Sequence, residues 1–325
     1  MTSKLKTPKL DQRLLKSVSR SFYLSIRLMP KVLRPAIGIA YLLARASDTI
    51  ADTENALVTT RLRRLADFER LVVGDPSQHA TANIQRDIQP THPGEQKLIA
   101  SLHDVLANLH ARDAWEWKET TTLVAKIIRG QSSDLRLFNN PGTVTAIPTA
   151  SALEEYTHFV AGCVGEWWTR MCFRILPGYS ELPEDALTEL GDSFGRGLQL
   201  VNILRDMPAD LAAGRCYLPA DELIANGVDP SQLGDIPMAA QPVFDSWEQR
   251  ARELLDEGRQ YIMSITNRRT RMACYLPWRL GVDTLDLFTK QPPLSEGKKV
   301  KVSRGAVRLA LIRSIRVAFS NAPLA

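Results

Sequence analysis

The stretch Gln199-Leu200-Val201-Asn202-Ile203-Leu204-Arg205-Asp206-Met207-Pro208-Ala209-Asp210 sets two aspartates four residues apart inside an apolar, helix-periodic run. A second stretch, Ala40-Tyr41-Leu42-Leu43-Ala44-Arg45-Ala46-Ser47-Asp48-Thr49-Ile50-Ala51-Asp52, repeats the arrangement. On an α-helix, positions i and i+4 share a face, so each pair projects both carboxylates to one side. A lone D-x-x-x-D pair is usually an ordinary solvated helix face. Here both pairs have apolar or small flanks, and a carboxylate in such surroundings needs a partner because buried unmatched charge is costly. The two faces are therefore candidates to hold divalent cations and, through them, a diphosphate.

Outward from these stretches, apolar residues recur at i, i+3 and i+4 through most of the chain, and strand-like alternation is scarce. The spacing predicts helices over 31–53, 57–73, 94–109, 112–137, 151–176, 183–213, 240–265, 268–288 and 303–320, which makes the protein all-α. Breaks are expected at 74–93, 139–150, 177–183, 228–240 and 289–300, where Gly, Pro and Asn cluster. None of them reads as an interdomain linker. A single domain over 1–325 is expected, with about the first 15 residues flexible.

Of the 325 residues, 44 % are hydrophobic and 24 % charged, an ordinary balance for a globular protein. The net charge of +5 suits nucleic acid, anionic lipid or phosphorylated ligands. No dense Lys/Arg tract with interleaved aromatics is present, so no nucleic-acid partner is expected. The basic opening MTSKLKTPKL leads into no apolar segment, and no signal peptide is expected. No apolar run reaches about 18 residues, so lipid contact would be peripheral. Cys163, Cys172, Cys216 and Cys274 form no C-x-x-C pair, which speaks against a zinc site or disulfide frame. A cytoplasmic setting, peripheral at the inner membrane face, is the expectation.

A diphosphate is a polyanion, and aspartates beside it would repel it without intervening cations. Magnesium prefers oxygen ligands and bridges one or two carboxylates to substrate phosphate. Arginines accompany both pairs: Arg45 lies three residues before Asp48, Arg205 directly precedes Asp206, and Arg215 follows Asp210. Arg20 and Arg27 bracket Ser21-Phe22-Tyr23. Guanidinium groups bind phosphate oxygens bidentately. Structural pairing with the same aspartates is an equally open reading for each. Ala161, Gly162, Gly165, Gly195 and Gly197 lack bulk, and either leave room for long apolar chains or let helices pack closely.

Several segments together resemble one family. Ser19-Arg20-Ser21-Phe22 and the stretch Tyr41 to Asp52 are similar to the opening signature of the squalene/phytoene synthases. Tyr156-Thr157-His158-Phe159-Val160-Ala161-Gly162-Cys163-Val164-Gly165 resembles their central segment. Gln199 to Asp210, continuing to Gly214-Arg215-Cys216-Tyr217-Leu218-Pro219, resembles their second signature. The resemblance implies an isoprenoid synthase fold, a single helical domain around a central cavity. It implies a prenyltransferase that condenses two farnesyl diphosphates head to head through presqualene diphosphate. By the same resemblance Asp48, Asp52, Asp206 and Asp210 would bind Mg²⁺, and Arg20, Ser21, Tyr41, Arg45, Gln199 and Asn202 would hold substrate. Arg205 and Arg215 would act on the diphosphate, and Tyr156 would be the catalytic tyrosine. Departures from the pattern are Ala51 and Ala209, where many members carry an acid, and Pro208, which removes a helical hydrogen bond.

Val300-Lys301-Val302-Ser303-Arg304-Gly305, after Lys298 and Lys299, resembles the segment that flanks NADPH in reductive squalene synthases. The resemblance implies Lys299, Lys301 and Arg304 as cofactor-binding residues and squalene as product. A basic helix start or a lipid-facing patch would look the same. Dehydrosqualene or phytoene synthesis without reduction is the nearest alternative. A non-catalytic lipid-binding or assembly relative would be expected to lose aspartates or arginines, and all four aspartates are present. A head-to-tail elongase is disfavoured because D-D-x-x-D is missing.

Overall fold

The structure, a computed structural model, describes residues 12–19, 22–74, 78–139, 142–234, 237–296 and 300–319. The chain packs as two compact units, Met1–Arg136 and Leu137–Ala325.

The first unit contains α1 (Gln12–Val18), α2 (Phe22–Leu28), α3 (Arg34–Asp52), α4 (Val58–Val73), α5 (Gln78–Asp87), α6 (Pro93–Ala100), α7 (Leu102–His110) and α8 (Ala114–Leu137), whose last residue lies at the boundary. Helix α3 is the centre of this unit, with α1, α2, α4, α6 and α7 packed on it. Pro35 suits its first turn, where an N–H would have no helical partner. Ile37, Ile39, Leu42, Leu43, Ala46 and Ile50 are buried. Beyond the first turn, the residues of α3 that are not buried are Tyr41, Ala44, Arg45, Asp48 and Asp52. A helix covered on every other side thus keeps a single polar stripe open.

Two local expectations are corrected. The predicted break at 74–93 contains α5, because Ile84 is buried, Gln85 Nε2 donates to the carbonyls of Ile99 and Ala100 (3.1 Å each), and Asp87 pairs with the buried Arg64 of α4 at 2.6 Å. Packing supplies what the local composition lacks. The single helix expected over 94–109 is split at Ser101, whose N–H bonds back to the carbonyls of Lys97 and Leu98.

The second unit contains β1 (Thr145–Ile147), α9 (Ala150–Thr157), a π-helical turn (His158–Gly162), α10 (Cys163–Ile175), α11 (Glu184–Ala212), β2 (Arg215–Pro219), α12 (Ala220–Ala225), α13 (Gln241–Ser264), α14 (Arg268–Phe288), α15 (Pro293–Glu296) and α16 (Arg304–Phe319). The long helix α11 is its spine, packed by α10, α13 and α14, and it continues through Pro208. The strands β1 and β2 form a short parallel pair with Thr145 opposite Arg215. All four cysteines are buried free thiols.

Several glycines of this unit, Gly165, Gly195 and Gly197 among them, sit at close helix contacts. A Cβ on Gly165 would stand 1.8 Å from the Gly191 carbonyl oxygen, and one on Gly195 would stand 2.3 Å from that of Ala161. A Cβ on Gly197 would meet Leu254 Cβ at 3.0 Å. Of the two readings of these positions, close helix packing is the one that holds at Gly165, Gly195 and Gly197.

Candidate active site

In the first unit, Tyr41, Arg45, Asp48 and Asp52 follow one another along the open stripe of α3, one turn apart. Gln131 of α8 donates from Nε2 to Asp48 Oδ1 across 2.5 Å, and Arg45 Nη1 stands 3.7 Å from Asp48 Oδ2. Desolvation lifts the Asp48 carboxyl from 3.8 to about 7, and the Asp52 charge adds to the rise. Arg45 and Gln131 pull the other way without cancelling it. Yet 41 % of the Asp48 side chain meets solvent, so a cation can reach it. Two like charges one turn apart are relieved by a divalent cation.

Gln131 Oε1 is buried and finds no hydrogen-bond partner among the described residues, which leaves one more hard oxygen beside the carboxylate. An all-oxygen donor set of this kind fits magnesium. Arg45 is also bonded through Nη2 to Glu95 Oε1 of α6. Nothing in the sequence singles out Gln131 or Glu95. Each is one of many polar helical residues, and packing alone brings it to α3.

The Tyr41 hydroxyl donates to the Val18 carbonyl at 3.0 Å, tying α3 to α1. Burial pushes this phenol up to about 12; Arg45 opposes the rise and Asp48 adds to it, so Tyr41 stays a neutral donor. Beside it lies a cavity of about 360 Å³ lined by Ser17, Val18, Tyr41, Arg45, His92 and Glu95. A cavity of about 600 Å³ opens next to Asp52, with Thr49, Asn55, Gln89 and Glu95 among its walls.

In the second unit, Gln199, Asn202, Asp206 and Asp210 occupy one stripe of α11. Arg205 holds Asp206 with two bonds, Nε to Oδ1 at 2.9 Å and Nη2 to Oδ2 at 2.6 Å. Asp210 Oδ1 accepts from Arg215 Nε at 3.2 Å and Nη2 at 2.8 Å. The turn that returns Arg215 to Asp210 runs through Gly214, whose φ of 77° lies in the left-handed region. Pairing with β1 then holds β2 in place. Both carboxylates are built to sit beside positive charge, so they too fit a hydrated cation.

Tyr217 lies two residues after Arg215 on β2, where the pairing with β1 is irregular between Cys216 and Pro219. Its ring stacks on that of Tyr156, with centroids 5.2 Å apart and planes at 25°. Phe138 meets Tyr217 edge-on at 5.1 Å. Tyr156 sits just before the π-helical turn, a feature that recurs at functional sites. The sequence marks Tyr156; its partners Tyr217 and Phe138 emerge from the packing.

Arg20, Ser21 and Lys299 lie outside the described residues, as does the side chain of Arg304. Lys301 is exposed ahead of α16. Ser303 Oγ accepts from the Ala306 N–H at 3.1 Å and caps α16, so this segment is a helix start whatever else it does.

Fold and site define an all-α protein of the isoprenoid synthase class, with carboxylate-and-arginine stripes on two helices. The Squalene/phytoene synthase family profile matches residues 15–306, and the chain belongs to that family. It is 26 % identical to the squalene synthase of Yarrowia lipolytica (strain CLIB 122 / E 150), over 94 % of this chain and 66 % of that protein. It is 29 % identical to the chloroplastic phytoene synthase of an Oncidium hybrid cultivar, over 91 % of this chain and 66 % of that one. The chain thus spans 66 % of the length of each relative. Among solved structures, TcSQS in complex with the ligand BPH1237 shares the fold with a TM-score of 0.76 at 21 % identity, covering 94 % of this chain and 86 % of that chain.

Proposed function

We propose that the protein condenses two farnesyl diphosphates head to head through presqualene diphosphate and, with NADPH, reduces the product to squalene. Family membership and likeness to squalene synthases support the condensation. The observation that carries the reading is the α3 stripe: on a helix otherwise buried beyond its first turn, the open line is Tyr41, Ala44, Arg45, Asp48 and Asp52. Asp48, Asp52, Asp206 and Asp210 would hold magnesium, which would supply positive charge to the leaving diphosphate. Arg20, Ser21, Tyr41, Arg45, Gln199 and Asn202 hold the substrates. Arg205 and Arg215 turn from their aspartates to phosphate oxygens. Tyr156, steadied against Tyr217, offers its ring and hydroxyl to the allylic cation left by the departing diphosphate, and its hydroxyl relays the proton lost when presqualene diphosphate forms.

Lys299, Lys301 and Arg304 bind the phosphate groups of NADPH, the hydride source. The protein works in the cytoplasm, attached peripherally at the inner membrane face; no described helix is long and apolar enough to cross a membrane. Incubation with Mg²⁺ and farnesyl diphosphate, with and without NADPH, tests the assignment. Squalene should form only with NADPH. Likeness to a phytoene synthase supports the alternative without reduction. Dehydrosqualene in equal amount with and without NADPH would reject the reductive step, and phytoene from geranylgeranyl diphosphate would assign the longer substrate.

A further inference from the structure

Residues 297–325 carry seven Lys and Arg residues (Lys298, Lys299, Lys301, Arg304, Arg308, Arg313 and Arg316) and no Asp or Glu. The whole chain has a net charge of +5, so the remaining residues together carry −2. The basic character of the protein is therefore concentrated in one short segment. Helix α16 lies within it, packed on α14, with Ala310 and Ser314 turned inward and buried.

The opposite side of α16 is unusual in composition. Leu309, Ile312 and Ile315 are 47 %, 55 % and 50 % exposed. Arg308, Arg313 and Arg316 are exposed among them. At 100° per residue these six fall within one sector of the helix. Aliphatic tips beside arginines, with no carboxylate on the helix, would serve poorly as a plain solvent face. They match an anionic surface with an apolar layer beneath it: aliphatic side chains enter the acyl boundary while arginines reach back to phosphate.

We infer that the exposed face of α16 is a docking surface for an anionic phospholipid bilayer. The inference rests on the peripheral attachment proposed above and names the surface responsible. It also fits the chemistry of the proposed product, a hydrocarbon that water does not accept and a bilayer does.

Co-sedimentation of the full chain with vesicles tests this without any turnover. Phosphatidylcholine vesicles would be compared with vesicles that also contain phosphatidylglycerol. The wild type should pellet with the anionic vesicles, and added salt should weaken the binding. The triple variant Arg308→Gln, Arg313→Gln, Arg316→Gln should bind roughly a hundredfold more weakly, at about fivefold per cation. The variant Leu309→Ser, Ile312→Ser, Ile315→Ser should also lose binding, while thermal melts confirm that both variants fold. Equal binding of the wild type to both vesicle types, or to neither, overturns the inference. So does a dimer in solution that the serine variant dissociates, because the face would then belong to a second copy of the chain. Condensation assayed in detergent reads the proposed function separately.

Discussion

Gln131 Nε2 donates to Asp48 Oδ1 across 2.5 Å, so a helix 83 residues further along the chain orients a carboxylate of α3. Outer partners of this kind hold a ligand's rotamer and basicity, and their loss costs about 10- to 100-fold in metal affinity. Gln131→Leu should raise the magnesium concentration for half-maximal turnover by that factor and leave the melting temperature of the metal-free protein little changed. An unaltered magnesium titration would show that Gln131 has no part in cation binding.

The Asp48 carboxyl titrates near 7 in the folded chain against an ordinary value of 3.8. Between these values the folded state holds more protons than the unfolded state. The metal-free protein should therefore lose stability as pH rises from about 4 through 7. Magnesium needs the ionised carboxylate and should bind more tightly over the same range. Thermal melts in EDTA across this window should slope downward, and Asp48→Asn should flatten the slope. Equal slopes for the two proteins would mean that Asp48 titrates normally.

Asp48→Asn and Asp206→Asn each remove a charge from a proposed metal stripe. Each should cut diphosphate release about a thousandfold, the scale expected for losing a key electrostatic group. Undiminished release in both variants would show that Asp48 and Asp206 do not hold a catalytic metal.

Tyr156→Phe keeps the ring that stacks on Tyr217 and deletes the hydroxyl. If that hydroxyl moves a proton, kcat should fall by about 10²–10⁴ with little change in KM or melting temperature. Tyr217→Leu removes the stack instead and should lower the melting temperature. A Tyr156→Phe enzyme with normal kcat would confine Tyr156 to packing.

Gly165→Ala would drive a methyl to within 1.8 Å of the Gly191 carbonyl oxygen and should destabilise the protein by about 3 kcal/mol in urea melts. Gly234→Ala, whose Cβ would meet Val144 Cγ2 at 3.6 Å, is the control and should stay within about 0.5 kcal/mol. Equal stability of the two variants would refute the close helix contact.

The helices legible in the sequence are those whose apolar period is long and uninterrupted, such as α3, α11, α13 and α14. Helix α5 was hidden among glycines and prolines because Arg64, on another helix, supplies the partner for Asp87. The π-helical turn at His158–Gly162 lay inside what reads as one continuous helix.

The sequence by itself determined the all-α class, the paired aspartates and the run of cations without acids after Glu296, because helical period and charge are local properties of the chain. Tertiary structure alone decided which side of α3 stays open, that Gln131 and Glu95 reach its carboxylate and guanidinium, and that Arg215 returns to Asp210 across Gly214. It also decided that the glycines of α11 close gaps. Those relations join residues far apart in sequence. They depend on which surfaces pack and on how much water is removed from each charge, and no local pattern encodes either.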